Sequence, residues 1–433
     1  MEPETISTPM NRMADAATGS ASLIDRALRT RLLKQMQALR KCQLTVIDEF
    51  GETVLGQAAE NSADTLRATV RVRANAFYRA IALNGSVGAG ESFIDGDWDC
   101  DDLVALIRML VHNRDLLDAM ETGLARFGGL ALRAWYALRR NTRGGSRTNI
   151  AAHYDVGNDF FRLFLDDNLM YSSAIYADAN ESLETASTRK LDRVCRKLEL
   201  CANDRVVEIG SGWGGFALHA ARHFGCHVTT TTISRAQYEL ARERVAEAGL
   251  GGRVTVLLED YRDLEGQYDK LVSIEMVEAV GHQYLDAYFT KVGTLLAPHG
   301  VALVQAITIE DRRYAQALRA VDFIKRHVFP GSFIPSVSAM LGAAARTSDL
   351  KLYNLEDIGP SYALTLAAWR ERFHRARNGV RALGFEERFL RLWDFYFAYC
   401  EGGFRERSTG CVQMLLVKPD CRREQFLPDC AAP

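Results

Sequence analysis

Strand-like and helix-like segments alternate through the middle of the chain. Short apolar runs rich in β-branched residues have the length of buried strands, and they lie at 205–209, 226–233, 253–258, 270–276 and 301–308. Between them apolar residues recur at helical spacing, as in residues 234–249. This alternation predicts an α/β fold with a mostly parallel sheet, whose ligands bind at the carboxyl ends of the strands. A final apolar run at 410–419 predicts an antiparallel strand at the edge of the sheet.

The amino-terminal third follows a different pattern. Residues 66–72 alternate between apolar and polar, which predicts a strand with one solvated face. A second short strand is predicted at 44–50, and the glycine-rich stretch 85–103 is interpreted as mainly turns. Residues 102–120 have helical periodicity. Together these segments predict a small α+β domain ahead of the α/β region.

Length and composition suggest the domain boundaries. A chain of 433 residues exceeds the roughly 250–300 at which a single core stops growing, so two domains are expected. Residues 1–24 are predicted to be a disordered leader, 25–145 an N-terminal membrane-associating domain with a basic linker, 146–420 the α/β domain and 421–433 a tail. Arginines beside aromatic residues in 121–147 suit an anionic membrane surface, and a solvated interdomain helix is the alternative interpretation.

Charge and cysteine content narrow the classes of function. A net charge of −2 argues against a nucleic-acid-binding protein, and no apolar run approaches the roughly 20 residues that span a bilayer. Nine scattered cysteines without a CxxC pair indicate a reduced, cytoplasmic location. His219, His223 and His227 are interpreted as part of a helix face and the following strand, so no metal is expected.

A glycine loop follows the first strand of the α/β region. The sequence VVEIGSGWGG (206–215) spaces Gly210, Gly212 and Gly215 as GxGxxG, which offers backbone N–H groups to a nucleotide-like ligand. By itself the loop fits a nicotinamide dinucleotide, a flavin or S-adenosylmethionine. Dinucleotide folds usually carry an acid about 20 residues further on for the ribose, but residues 229–234 contain none. The missing acid favours S-adenosylmethionine as the cofactor and leaves a nicotinamide oxidoreductase as the alternative.

Side chains at neighbouring strand ends can be assigned to parts of this cofactor. The carboxylate before the loop can bind the ammonium group of S-adenosylmethionine. Hydroxyl and amide groups after the second strand can form hydrogen bonds with its ribose. The acid and ring of EDY (259–261) can serve the adenine. The predicted cofactor-binding residues at these strand ends are Glu208, Gly210, Gly212, Thr232, Gln237, Asp260 and Tyr261.

Several longer motifs occur in an order that is typical of one enzyme family. They include HYDVGNDFFRLFLDDNLMYSSA (153–174), TTISRAQ (231–237), SIEMVEAVGH (273–282), DFIKRHVFPGSFIPS (322–336) and YCEGGFRER (399–407). Over roughly residues 150–418 the chain resembles the cyclopropane-fatty-acyl-phospholipid synthases, which are related to the mycolic acid cyclopropane synthases. The resemblance implies a Rossmann-like class I methyltransferase fold with a mostly parallel seven-stranded sheet, beside the small N-terminal α+β domain. It makes 146–420 the catalytic domain.

The resemblance also implies a reaction. A methylene group passes from S-adenosylmethionine to the cis double bond of an unsaturated phospholipid acyl chain, through a carbocation that loses a proton to close a cyclopropane ring. In this family a bound bicarbonate is thought to take that proton, and its ligands carry over here as Ser173, Glu278, Gln305, the Ile307 backbone and Tyr362. Ser173 and Gln305 stand where many members have cysteine and histidine. These departures leave a methyl- or methylene-branched product as an alternative.

Further residues complete the predicted site. Tyr171 and Ser172 are expected to contact the cofactor and to shield the cation. Cys400 is expected to form part of the wall, because direct transfer needs no covalent enzyme intermediate. The insertion from 310 to about 383 is predicted to wall the acyl-chain tunnel, with Phe333 and Ile334 among its lining residues.

The resemblance also sets the expected partners. The enzyme is expected in the cytoplasm, in peripheral contact with the inner face of a phospholipid bilayer that contains unsaturated acyl chains. No nucleic acid is expected as a partner, and a homodimer is a further expectation. A non-catalytic lipid-binding relative is the alternative from another class, but the intact glycine loop together with Glu278 and Tyr362 argues against it.

Overall fold

The computed structural model describes residues 22–115 and 156–424. Most of the predicted leader, all of the basic segment 121–147, and the end of the predicted tail lie outside the described residues.

A four-stranded sheet and its surrounding helices form the N-terminal part. The elements in chain order are α1 (Leu23–Met36), β1 (Cys42–Asp48), β2 (Gly51–Leu55), β3 (Leu66–Val72), α2 (Ala76–Asp95), β4 (Trp98–Cys100) and α3 (Leu103–His112). The strand order is β2-β1-β3-β4, in which β1 and β3 are parallel and the other neighbours are antiparallel. The predicted α+β character and the alternating strand at 66–72 are confirmed.

The interpretation of 85–103 as turns is wrong for its first half, because α2 continues to Asp95. Gly85 has a non-helical backbone (φ +56°, ψ −132°), so α2 consists of two helical segments that meet at a kink. Gly90 serves close packing, since a Cβ atom there would lie 2.5 Å from the ring of Phe323. The glycines that resembled turn signals therefore allow another part of the chain to approach the helix.

A seven-stranded sheet forms the centre of the second part. Its strands are β5 (Arg205–Ile209), β6 (His227–Thr231), β7 (Val254–Leu257), β8 (Tyr268–Ile274), β9 (Leu296–Ile309), β10 (Lys351–Asp357) and β11 (Thr409–Val417). They lie in the order β10-β11-β9-β8-β5-β6-β7. The strands from β5 to β9 are parallel, and β10 and β11 are antiparallel to their neighbours. The predicted mostly parallel, seven-stranded sheet is confirmed.

The position predicted for the last strand is wrong. β11 is antiparallel as expected, but it lies between β9 and β10 and not at the edge. The edge strand is β10, which comes from inside the insertion and has the sequence KLYNLED with exposed and half-buried side chains. A solvated edge strand needs few apolar residues, so its sequence carries a weak strand signal.

Helices connect and cover these strands. In chain order they are α4 (Asn158–Arg162), α5 (Leu183–Lys197), α6 (Gly215–Phe224), α7 (Arg235–Glu247), α8 (Leu285–Leu295), α9 (Asp311–Arg319), α10 (Phe323–His327), α11 (Val337–Thr347), α12 (Gly359–Arg375), α13 (Arg377–Ala382) and α14 (Glu387–Arg405). Helix α14 contacts α12, α2 and α3, and so lies between the two parts. Among the described helices, none is long and apolar enough to cross a membrane.

The two parts share one apolar core across α14. The rings of Phe93 and Phe395 have centres 5.5 Å apart. A Cβ atom at Gly402 would lie 2.6 Å from the side chain of Ile107, so the helices touch at their backbones. Arg391 adds a hydrogen bond to the carbonyl of Phe93. These contacts hold α2 and α3 beside the second part of the chain.

Candidate active site

One large cavity lies over the carboxyl ends of the parallel strands. Its volume is about 880 Å³, at the upper end of the roughly 300–1,000 Å³ of small-molecule pockets. Residues after β5, β6, β7 and β8 line one side, and residues of α12, α14 and the segment 329–334 line another. The N-terminal part reaches the same cavity through Leu28 and Leu32 of α1 and Ile81 of α2. The cavity therefore joins the glycine loop to an apolar region that both parts of the chain build.

Backbone conformation explains the glycines of the loop. Gly210 and Gly212 have φ of +94° and +48°, a region that disfavours other residues. Gly215 begins α6, and a Cβ atom there would lie 2.5 Å from the carbonyl oxygen of Asn168. Two glycines thus form the turn, and the third allows close packing of the helix.

Glu208, Thr232 and Gln237 all line the cavity beside this loop. Glu208 accepts a hydrogen bond from the hydroxyl of Thr230 at 2.6 Å, and burial raises the pKa of its carboxyl group to about 8. The hydroxyl of Thr232 donates to Oε1 of Gln237 at 2.9 Å, which orients that amide. These three predicted cofactor residues are brought together as expected.

Asp260 and Tyr261 line the cavity on the next loop. Both carboxylate oxygens of Asp260 accept from the guanidinium of Arg262, at 2.8 and 2.5 Å, so the carboxylate has a fixed orientation. Tyr261 packs edge-on against Tyr288 with ring centres 5.7 Å apart, and burial raises its pKa to about 12. Both residues predicted to serve the adenine therefore lie at the cavity, one as an uncharged ring and the other as an oriented carboxylate.

Glu275, which the sequence analysis did not single out, lies at the centre of the residues predicted to bind bicarbonate. The backbone N–H of Ser173 and the amide Nε2 of Gln305 each donate to its Oε1 at 2.8 Å, and the hydroxyl of Tyr362 donates to its Oε2 at 2.7 Å. Ser173 and Gln305 are fully buried. Burial raises the pKa of Glu275, and these hydrogen bonds oppose that shift. The Ser173 hydroxyl donates to the carbonyl of Ala174, so this residue uses its backbone N–H instead. Ser173, Gln305 and Tyr362 do converge, but they converge on a carboxylate of the chain.

Glu278 has fewer hydrogen-bond partners than Glu275. The backbone N–H of Ile307 donates to its Oε1 at 2.5 Å, whereas its Oε2 is buried without a hydrogen-bond partner among the described residues. Burial, and then the charge of Glu275, raise the pKa of Glu278 to about 8. Because most of the expected donors are already satisfied by Glu275, the site does not fit a bicarbonate held in the predicted manner.

Sequence reasoning could have considered Glu275 by the same signal that selected Glu278. Both acids directly follow the apolar strand β8 in the motif SIEMVEAVGH, where a buried carboxylate needs partners. The role of Glu278 as a bicarbonate ligand came from the resemblance. The partners that distinguish the two acids come from elements far away in the sequence.

Tyr171 and Ser172 also lie at the cavity, as predicted. The ring of Tyr171 lies 5.3 Å from that of Trp369, and its hydroxyl is 3.0 Å from the hydroxyl of Tyr396. The Ser172 hydroxyl accepts from the Nζ of Lys190 at 2.9 Å. Lys190 is fully buried, and burial lowers its pKa to about 8.

Cys400 lines the cavity, and its environment is that of a wall residue. Burial raises the pKa of its thiol far above the ordinary value, so the nucleophilic thiolate is disfavoured. His219 pairs with Asp192 at 2.8 Å. Within residues 22–115 and 156–424 no cluster of three histidine, cysteine or acidic side chains could hold a metal ion.

The sheet order, the glycine loop after its first parallel strand and the cavity above that loop define a class I S-adenosylmethionine-dependent methyltransferase, and solved structures of that class share the fold. The model of the mycolic acid cyclopropane synthetase family matches residues 142–414, and the chain belongs to that family.

Individual relatives agree with this assignment. The chain is 37% identical to the tuberculostearic acid methyltransferase UfaA1 of Mycobacterium tuberculosis over 80% of this chain and 82% of that one. It is 36% identical to the cyclopropane-fatty-acyl-phospholipid synthase of Escherichia coli K12 over 81% of this chain and 88% of that one. The crystal structure of mycolic acid cyclopropane synthase CmaA1 complexed with SAH and CTAB is 28% identical, covers 63% of this chain and 98% of its own, and gives a TM-score of 0.59.

Proposed function

We propose that the enzyme transfers a methylene group from S-adenosylmethionine to the cis double bond of a phospholipid acyl chain and so forms a cyclopropane ring. The observation that carries this proposal is the single cavity that joins the glycine loop, the buried carboxyl groups and an apolar region. The relatives support the substrate class, since one is a cyclopropane-fatty-acyl-phospholipid synthase and another a tuberculostearic acid methyltransferase.

The residues at the strand ends would hold the cofactor. S-adenosylmethionine, when bound, supplies an electrophilic methyl group. Glu208 with the glycine loop would hold its amino-acid part, Thr232 and Gln237 the ribose, and Asp260 and Tyr261 the adenine. The prior orientation of Gln237 and Asp260 by neighbouring side chains reduces the cost of ordering them on binding.

Aromatic side chains protect the reacting region. Tyr362 stacks on Phe404 with ring centres 4.4 Å apart, and Tyr171 lies against Trp369. Ring faces attract cations, and an apolar wall keeps water from a reactive centre. Both properties suit the positive charge that appears on the acyl chain once the methyl group has been transferred.

The acyl chain would occupy the apolar end of the cavity. Phe333 and Ile334, with Phe329, line the cavity from the insertion, which supports the predicted tunnel wall. Leu28, Leu32 and Ile81 add a second wall from the N-terminal helices. The N-terminal part would therefore bind lipid directly, in addition to any contact that it makes with the membrane.

Helices α1 and α2 also carry exposed apolar side chains. Leu23 and Ile24 of α1 are 84% and 67% exposed, and Leu83 of α2 is 53% exposed. Because the same helices line the cavity, these side chains suit peripheral contact with the bilayer that holds the substrate. Attachment to the inner face of the membrane and dimer formation stay predictions.

A branched product is the second candidate. The identity to the tuberculostearic acid methyltransferase, 37%, is as high as that to the cyclopropane synthase. The first carbocation would be the same for both products. A hydride shift from the methyl-bearing carbon to the cationic carbon, followed by loss of a proton from the new methyl group, would give a methylene branch in place of the ring.

Lipid analysis tests the proposal. The chain is expressed in a bacterium that lacks its own synthase, and the fatty-acid methyl esters are analysed by mass spectrometry. The expected result is a gain of one CH2 on unsaturated chains, and mild hydrogenation then separates a ring from a retained alkene. Unchanged lipids in cells that contain folded, cofactor-binding protein would contradict the proposal and favour a lipid-binding role.

A further inference from the structure

We propose that the carboxylate of Glu275 is the base that removes the proton from the acyl chain, in the role expected for a bicarbonate ion. This inference rests on the proposed function. The N–H of Ser173, the amide of Gln305 and the hydroxyl of Tyr362 all donate to Glu275. A planar carboxylate supplied by the chain therefore occupies the centre of the donor set, and it lines the cavity beside the cofactor loop.

A series of hydrogen bonds between buried side chains fixes Glu275 as a hydrogen-bond acceptor. The Nζ of Lys197 can only donate, and it does so to Oε1 of Gln413 at 2.9 Å. The Nε2 of Gln413 then donates to Oε1 of Gln305 at 2.9 Å, and the Nε2 of Gln305 donates to Glu275. Both glutamines are fully buried, so no water competes for their orientation. One ammonium group thus aligns two amides so that an N–H faces Glu275, which favours its ionised form.

The neighbouring acid, Glu278, accepts fewer hydrogen bonds than Glu275. Glu278 receives one backbone hydrogen bond, from Ile307, and its Oε2 is buried without a partner among the described residues. Two buried carboxyl groups in one site do not both ionise readily, and the group that accepts more hydrogen bonds carries the negative charge. The hydrogen bonds assign the negative charge to Glu275 and the proton to Glu278.

The backbone at Glu275 supports a functional role. Its φ is +51°, in the left-handed region that residues other than glycine seldom adopt. Such a conformation persists where the surroundings hold it, and here the three hydrogen bonds to the side chain do so. Glu275 therefore has a strained backbone conformation at a position that lines the cavity.

The proposed step balances without a co-reactant. After transfer, one carbon of the acyl chain carries a positive charge and its neighbour carries the new methyl group. A C–H bond of that methyl group breaks, and its electron pair forms the C–C bond that closes the ring. The proton passes to Glu275, which becomes a neutral carboxyl group until the proton is lost to solvent.

The dependence on bicarbonate tests the inference. The purified wild-type enzyme is assayed with unsaturated phospholipid vesicles in CO2-depleted buffer, with and without added bicarbonate. The expected wild-type rate is the same in both. A rise of about tenfold or more on addition of bicarbonate would overturn the inference, as would 13C-bicarbonate bound stoichiometrically to the wild-type protein.

Two substitutions at Glu275 make the test specific. E275Q keeps the shape but removes the base, so kcat should fall by about 100-fold or more while the affinity for S-adenosylmethionine is unchanged. E275G relieves the positive φ and frees the three donors, so its activity should also fall but recover with bicarbonate, and 13C-bicarbonate should bind to it. Full activity of E275Q, or an E275G variant that binds the cofactor but neither binds nor responds to bicarbonate, would overturn the inference.

E278Q is the matched control. Because Glu278 is assigned as the neutral member of the pair, its amide should keep considerably more activity than E275Q. The reverse order would overturn the assignment. A wild-type protein that binds the cofactor but transfers no CH2 to any lipid is a different result, because it contradicts the proposed function itself.

Discussion

At the scale of single residues, the functional contrast lies between two glutamates three positions apart. Glu275 receives three strong donors, while Glu278 receives one and has a buried oxygen without a partner among the described residues. The local sequence does not distinguish the two acids, since both follow β8 within a few residues. The charge states that we propose for the two acids depend on donors supplied by other elements, and the pH dependence of the rate tests them.

The acid side of the pH–rate profile should report Glu275. Burial raises the pKa of Glu275, and the amide of Gln305 opposes this by stabilising the carboxylate. Removing that donor in Q305L should raise the pKa further, so activity would be lost at a higher pH as the solution is acidified. A hydrogen bond to a charged group contributes about 1.5–3 kcal/mol, so the acid limb of kcat should move up by about one to two pH units.

Two comparisons control this measurement. Q413L acts on Glu275 only through Gln305 and should move the limb in the same direction by less. Q267L changes an exposed glutamine that bonds the carbonyl of Thr294 and should leave the profile unchanged. A downward shift in Q305L would contradict the role of Gln305 as a donor to an ionised base.

Cys400 provides a second test at this scale. Since burial strongly favours its neutral thiol, C400S should keep kcat within about threefold of the wild type, because no covalent step is required. Steady-state kinetics with lipid vesicles measures this. Loss of activity by about 100-fold or more, with unchanged melting temperature, would indicate a chemical role for the thiol.

At the scale of elements, the segment 329–334 combines core packing with the cavity wall. Phe333 and Ile334 both line the cavity, as predicted. Phe333 is 1% exposed and also belongs to the core that includes Phe289 and Met340, whereas Ile334 is half-buried. The two side chains therefore differ in how much they contribute to core packing.

I334A should raise KM for lipid several-fold and leave the affinity for S-adenosylmethionine unchanged, since Ile334 lies on the apolar part of the cavity. F333A should lower the free energy of unfolding by about 3–5 kcal/mol, because it leaves a void in a packed core. Kinetics, calorimetric titration and thermal denaturation distinguish the two. Equal loss of lipid and cofactor affinity in I334A would contradict the tunnel-wall assignment.

At the scale of the whole molecule, the N-terminal part acts as a wall of the active-site cavity. Its helices α2 and α3 share a core with α14, and α1 and α2 line the apolar end of the cavity. The amino-terminal helices α1 and α2 thus line the cavity and also carry exposed apolar side chains. Membrane association and lipid binding are therefore expected to depend on the same helices.

The double variant I24D/L83D should bind vesicles of phosphatidylglycerol and phosphatidylcholine several-fold more weakly, because it places charges on the proposed contact surface. L383D is the control, since Leu383 is also exposed (42%) but follows α13. Vesicle flotation measures binding, and activity on detergent-dispersed lipid should change less than activity on vesicles. Equal binding of the double variant and the control would contradict this surface.

Some of this protein could be predicted because the signal is local. Strand and helix periods depend on neighbours two to four residues away, so the parallel strands of the central sheet were predictable, as was the glycine loop with its positive φ angles. Helix α2 and strand β10 were not predicted, because their sequences are suited to contacts with residues that are distant in the chain. Gly90 makes room for Phe323, and β10 pairs only with the carboxyl-terminal strand.

The sequence by itself determined the class of fold, the cofactor loop and the family, since each is encoded in contiguous motifs. Only the tertiary structure decided which acid receives the donors. Ser173, Gln305 and Tyr362 lie 102, 30 and 87 positions from Glu275, and they meet it because the sheet brings their elements to one edge. The energy of a buried carboxylate depends on such long-range hydrogen bonds, which no local pattern in the sequence records.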